Sequence, residues 1–148
     1  MATIFELLDG ANDVEITPCP KDRSDLKKMW DARSLQLFAN VIDMSESAVS
    51  AKQLNASLSF AKGAVQASLS REAVEWVVFT VNLTTLMQQI NKMSFGVDEI
   101  LLESLQISDD IDMPGRFTSK CLAQGQNTDF ITRHASFIPR KHKIARNT

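Results

Sequence analysis

The chain has 148 residues, 44% of them hydrophobic and 23% charged, with a formal net charge of -2. That is the size and make-up of one ordinary globular domain, able to bury about two thirds of its unfolded surface. Cys19 and Cys121 are too few and too far apart for a disulfide framework. No window approaches 18 uninterrupted apolar residues, and the start MATIFELLDGANDVE lacks a basic leader region, so a membrane span and a signal peptide are not expected. A cytoplasmic protein, or a virion component within a host cell, is the reading these totals favour.

Residues 1 to 20 hold Glu6, Asp9, Asp13 and Glu15 without a base, and the apolar cluster Ile4, Phe5, Leu7, Leu8 stops at Asp9-Gly10. This is expected to be an acidic docking segment, ended by Pro18 and Pro20. Asp22 or Ser24 can then cap a helix. Over residues 24 to 43, Leu26, Met29, Trp30, Leu37, Phe38, Val41 and Ile42 follow helical spacing.

In residues 47 to 69, Ala51, Leu54, Leu58, Ala61 and Val65 repeat at steps of three and four and predict a narrow helical seam, with Gly63 as its weak point. Residues 70 to 93 continue the spacing through Trp76, Phe79, Leu83, Leu86, Ile90 and Met93. Val78 to Thr84 also alternates as a strand would, but the start Ser70-Arg-Glu-Ala and the run Leu-Met-Gln-Gln-Ile-Asn-Lys-Met decide for helix. Val74, Val77, Val78 and Val81 lie off the main stripe, as in a helix central to a bundle or a subunit interface. The two seams together predict a tight helical hairpin, or a single rod about 70 Å long. Gly96 ends the second seam, and Val97, Ile100, Leu101, Glu103 and Leu105 outline a shorter helix. The fold class expected is therefore all-α, a small bundle of about four helices or a long helical hairpin.

Charge then divides the C-terminal third. Residues 94 to 115 carry six acids, Asp98, Glu99, Glu103, Asp109, Asp110 and Asp112, and no base. Residues 116 to 148 carry seven bases, Arg116, Lys120, Arg133, Arg140, Lys141, Lys143 and Arg146, against one acid. A helical domain over 1–115, closed by an acidic linker at Pro114-Gly115, and a basic arm over 116–148 are the expected organisation.

Catalytic patterns are missing. The sequence has no phosphate-binding glycine loop, no dinucleotide turn, no nucleophile elbow and no His-Glu-x-x-His helix. Cys121, His134 and His142 match no common zinc spacing. Asp110-Ile-Asp112 begins like a calcium loop, but Pro114 and Cys121 occupy its fifth and twelfth positions. Glu99 and Glu103 share a helical face and are expected to be solvated. Trp30 and Trp76 are expected to be core anchors. The sequons at Asn55 and Asn82 fall in predicted helices, and Arg133-His-Ala-Ser136 is only a short match to a basophilic phosphorylation site.

The arm is left as the one functional feature. Arg133, Arg140, Lys141, Lys143 and Arg146, with Phe137 close by, could neutralise phosphates, bind the acidic stretch of another copy, or act as a localisation signal. The expectation is a non-enzymatic, self-associating structural or assembly protein. Its oligomer interface would be Trp76, Phe79, Leu83, Leu86, Ile90 and Met93, and its arm would grip a neighbouring subunit or nucleic acid. The alternative is a small nucleic-acid-binding regulator that also uses Lys21, Arg23, Lys27 and Lys28. Neither reading calls for a cofactor, a metal, a membrane or a small-molecule substrate.

Overall fold

The computed structural model describes residues 6–20, 28–42, 49–92, 96–116 and 119–124. In chain order the elements are β1 (Asp13–Val14), β2 (Thr17–Pro18), α1 (Ala39–Ile42), α2 (Ala51–Leu54), β3 (Ala61–Lys62), β4 (Ala67–Ser68), α3 (Arg71–Glu75), a π-helical turn (Trp76–Thr80), α4 (Thr84–Ile90), a 3-10 turn (Val97–Glu99), α5 (Leu101–Ile107) and α6 (Lys120–Ala123). The all-α bundle is thereby corrected: short helices share the fold with two small antiparallel sheets, β1 with β4 and β2 with β3.

The two sheets read as one interrupted ribbon between residues 13–18 and 61–68. Asp13 faces Ser68 and Val14 faces Ala67, whereas Thr17 faces Lys62 and Pro18 faces Ala61. Three steps along the first strand, 14 to 17, match five along the second, 67 to 62, so the second strand bulges by two residues. Gly63 lies in that bulge. A Cβ built on it would stand 2.0 Å from the Glu15 carbonyl oxygen and 2.9 Å from Glu103 Cγ. The glycine therefore marks a close approach of two backbones, and not a weak helical turn.

The helical seam over 47–69 fails for a readable reason. Ser50 caps α2, accepting from the Gln53 N–H at 3.2 Å while Gln53 Oε1 takes the Ser50 N–H at 3.1 Å, but the helix stops at Asn55 after one turn. Beyond it Ala56 and Leu58 are buried and Ser57 and Ser59 exposed, the period of a strand. The segment is extended and bonds residues 30–32: the Leu58 N–H donates to the Trp30 carbonyl and the Ala32 N–H to the Ala56 carbonyl, both at 2.8 Å. In the predicted 24–43 helix, the part within the described residues is mostly turn. Gln36 takes a φ of +54°, a conformation that ends right-handed helix, and only α1 follows it.

Residues 70–90 come closer to expectation. Ser70 caps α3, accepting from the Ala73 N–H at 3.1 Å. Helix gives way to a π turn whose end is marked by the Val81 N–H donating to the Trp76 carbonyl at 3.2 Å. Val81 is extended, and helix resumes at α4. No long hairpin or rod forms, because the Asn82 N–H leaves the helical ladder for the Leu37 carbonyl at 2.6 Å.

One apolar cluster holds these pieces together, with Trp30, Leu35, Leu37, Phe38, Trp76, Leu86, Ile90, Leu105 and Ile111 among its buried members. The Trp30 ring meets Phe60 edge-on at 4.8 Å. A smaller cluster of Val14, Ile16, Ala61 and Ile107 joins the ribbon to α5. Each such side chain contributes roughly 1.5–3 kcal/mol of transfer free energy. α5 thus runs between ribbon and core, and its residues 103 to 107 are all buried.

Candidate functional site

A single asparagine organises the point where the N-terminal loop, the start of α3 and the turn after α5 meet. Asn12 Nδ2 donates to Gln106 Oε1 at 2.9 Å and to the Pro114 carbonyl at 2.8 Å, while its Oδ1 accepts from the Ser70 N–H at 2.9 Å. Its own N–H donates to the Gly115 carbonyl at 2.7 Å. One buried side chain therefore ties three segments that are about 60 and 100 residues apart in sequence, by bonds whose breaking would leave buried polar groups unsatisfied.

The backbones close in around it. Asp9, Gly10, Asp112 and Gly115 all have positive φ, at 44°, 81°, 61° and 68°. Gly115 has a second constraint: an added Cβ would meet the Gly10 carbonyl oxygen at 2.4 Å and Asn12 Oδ1 at 2.9 Å. Glycine takes this conformation without strain, but at Asp9 and Asp112 it carries a cost that persists only where the surroundings fix it, and such residues concentrate at functional sites.

Over this knot lies an open cavity of 560 Å³ lined by Asp9, Gly10, Ala11, Glu72, Gly115 and Arg116. That falls within the 300–1,000 Å³ typical of small-molecule sites. A smaller depression of 280 Å³ adjoins it across Gly10 and Ala11 and reaches Ser70 and Arg71. Asp9 and Glu72 supply carboxylates, and Arg116 supplies a cation held in place from behind. Arg116 Nη1 donates to Asp109 Oδ1 at 2.8 Å and Nε to Asp112 Oδ1 at 3.3 Å. Asp109 is itself fixed by the Ser119 N–H at 3.1 Å and Ser119 Oγ at 2.7 Å. Partial burial works against the Asp109 carboxylate, but the Ser119 bonds and the Arg116 charge outweigh it and hold the acid below its usual range.

One turn before Gln106 on α5 lies Glu103. The expectation of a solvated carboxylate is corrected here, since Glu103 is 1% exposed and its Oε2 has no partner. Burial pushes its pKa up from 4.5 to about 7, aided by Glu99, Asp98 and Glu15 nearby. The Glu99 charge is met instead by Lys62 at 3.2 Å.

The sequence-expected site residues fall only in part within the described residues. Trp76, Leu86 and Ile90 lie in the core of this chain, Leu83 packs against it, and Phe79 is 73% exposed. Met93 lies outside the described residues, as do Arg133, Arg140, Lys141, Lys143 and Arg146, the histidines at 134 and 142, and Lys21, Arg23 and Lys27. Asp9, Asn12, Glu72 and Gln106 were not singled out in sequence as site residues. Asp9-Gly10, read there as the end of an apolar cluster, Pro114-Gly115, read as a turn signal, and Arg116, read as part of the basic arm, are the traces of the cavity in the sequence. Among the described residues no group of three His, Cys, Asp or Glu side chains is placed to hold a metal ion, and no helix is long and apolar enough to cross a membrane.

Residues 1–142 match the family model described as Core-2/I-Branching enzyme, while no curated protein matches the chain. This overturns the expectation of a non-enzymatic assembly protein, virion component or nucleic-acid-binding regulator, because the family is one of glycosyltransferases, which are enzymes. With nearly its whole length matched, the chain belongs to the Core-2/I-Branching enzyme family.

Proposed function

We propose that the chain acts in glycosyl transfer, and that the cavity bounded by Asp9, Glu72 and Arg116 is where the reacting groups meet. The observation that carries this is the pairing of two carboxylates with one rigidly held guanidinium around an opening of sugar size. Transfer of a sugar from an activated donor to an acceptor hydroxyl needs a group to take the hydroxyl proton and positive charge to receive the departing anion. Glu72, exposed in the first turn of α3, is the residue we assign as base. Arg116 is assigned to the leaving group, with Asp109 and Asp112 fixing its orientation. The family name points to an acceptor that is itself a sugar chain, branched by the reaction.

The test is acceptor-dependent release of the donor's leaving group, measured with a panel of nucleotide-activated sugars and short glycans. Turnover with at least one pair is expected, falling by about a hundredfold or more in Glu72→Gln with the folded state unchanged by circular dichroism. Absence of acceptor-dependent release across the panel, or full activity in Glu72→Gln, would remove this assignment.

A further inference from the structure

Two polar atoms on neighbouring positions of α5 are buried without a partner: Glu103 Oε2, an acceptor, and Gln106 Nε2, a donor. Residues three apart lie side by side on a helix. Gln106 spends its other side-chain atom on Asn12, whose remaining bonds hold the Ser70 end of α3 and the Pro114–Gly115 turn. Glu103 is meanwhile pressed from above by the bulge, with its Cγ next to Gly63. A buried acceptor and a buried donor, one turn apart, stand at the foot of a hydrogen-bond chain that ends in the cavity wall.

We infer that Glu103 is a proton-dependent positioning residue, whose ionisation draws Gln106 away from Asn12 and loosens the walls of the cavity. A neutral Glu103 carboxyl competes weakly for the Gln106 amide, so Gln106 Oε1 stays with Asn12. An ionised carboxylate is a far stronger acceptor, and in a low-dielectric interior it captures the nearest free N–H. The unpartnered buried N–H three residues along the same helix is on Gln106, and its capture turns the amide away from Asn12 Nδ2. Among the described residues, the other ionisable groups on the elements that pack most closely against α5 are Asp13 and Glu15 on the first strand segment, Lys62 on β3, and Asp98 and Glu99 on the 3-10 turn. Lys62, the one cation among them, is bonded to Glu99. The set therefore favours the neutral carboxyl and places the change near pH 7. The inference rests on the proposed site only in taking the cavity as the place where the chain of bonds ends.

Amide exchange on the whole protein tests it without reference to activity. The Ser70 N–H reports Asn12 directly, and the Leu58 N–H, bonded to Trp30, reports the core away from it. Across pH 6 to 8, protection at Ser70 is expected to fall about tenfold more than at Leu58, whose change follows the global loss of stability that the same ionisation brings, and Glu103→Gln should abolish the Ser70 step. A parallel loss at both amides, or a step that survives in Glu103→Gln, would overturn the inference. Should that variant not fold, the side-chain NH₂ signals of Gln106 in the wild-type protein decide. A shift with a midpoint near pH 7 upholds the linkage, and a flat response ends it.

Discussion

Glu103 and Asp109 lie six residues apart in the same acidic stretch, yet the fold treats them in opposite ways. Asp109 ends in a turn where Ser119 and Arg116 can reach it, and it accepts hydrogen bonds on both oxygens. Glu103 sits mid-helix between ribbon and core, and one of its oxygens meets nothing. Partners stabilise a charge and burial without them opposes it, so one acid is shifted down and the other up to about 7. Charge in a sequence thus says little about charge in a fold until the partners are known. Asp110 is the water-facing acid of the stretch: it meets Lys52 at 3.0 Å with both side chains more than half exposed.

The sharpest way to break the contrast is to remove the cover over Glu103. Gly63→Ala forces a methyl onto the Glu15 carbonyl oxygen, which backbone cannot yield cheaply. We expect a loss of about 3 kcal/mol or more, or failure to fold, read by urea denaturation. A loss below about 1 kcal/mol would mean that the bulge is not tightly closed over the carboxyl.

Next in size is the pH dependence. Because the folded-state pKa of Glu103 is raised, the native protein keeps a proton that the unfolded chain gives up. Its contribution is fully present below 4.5 and is lost as pH rises through about 7. The drop amounts to about 3 kcal/mol between those limits, and Glu103→Gln should remove most of it. Asp109 runs the other way: its stabilisation is present above the ordinary 3.8 and disappears on acidification. Asp109→Asn should cost about 1 kcal/mol at neutral pH, a modest figure because a third of the side chain is in water. Ser119→Ala should cost somewhat less. Last, Asp110→Asn should change stability by under about 0.5 kcal/mol. A larger effect would show that exposure is not what ranks the three acids.

Parts of this were legible in the residues themselves. Ser70 announces α3, and the spacing of Trp76, Leu86 and Ile90 marks an inward face that the core does use. The ribbon was hidden because Ala61, Lys62, Ala67 and Ser68 have little preference for strand and are held extended by Val14, Thr17 and Pro18 across from them. Ala56-Ser-Leu-Ser-Phe60 does alternate, but Leu58 also falls on the three-four spacing of Ala51, Leu54, Ala61 and Val65. Asn12 could not be seen as a hub, since its partners are gathered by tertiary structure alone. Glu103 was misread for a related reason. Its carboxylate suggested water, although the run Ser104-Leu-Gln-Ile-Ser108 has no charge to keep that helix at the surface.

The titration of Glu103 itself is the most direct measurement, by carboxyl ¹³C shift in the folded wild-type protein with Asp109 followed in the same spectra. A Glu103 midpoint near 7, with Asp109 titrating below 3.8, is the expected result. A Glu103 midpoint close to 4.5 would mean that water or a cation reaches the carboxylate, and would contradict both its burial and the linkage to Asn12 built on it.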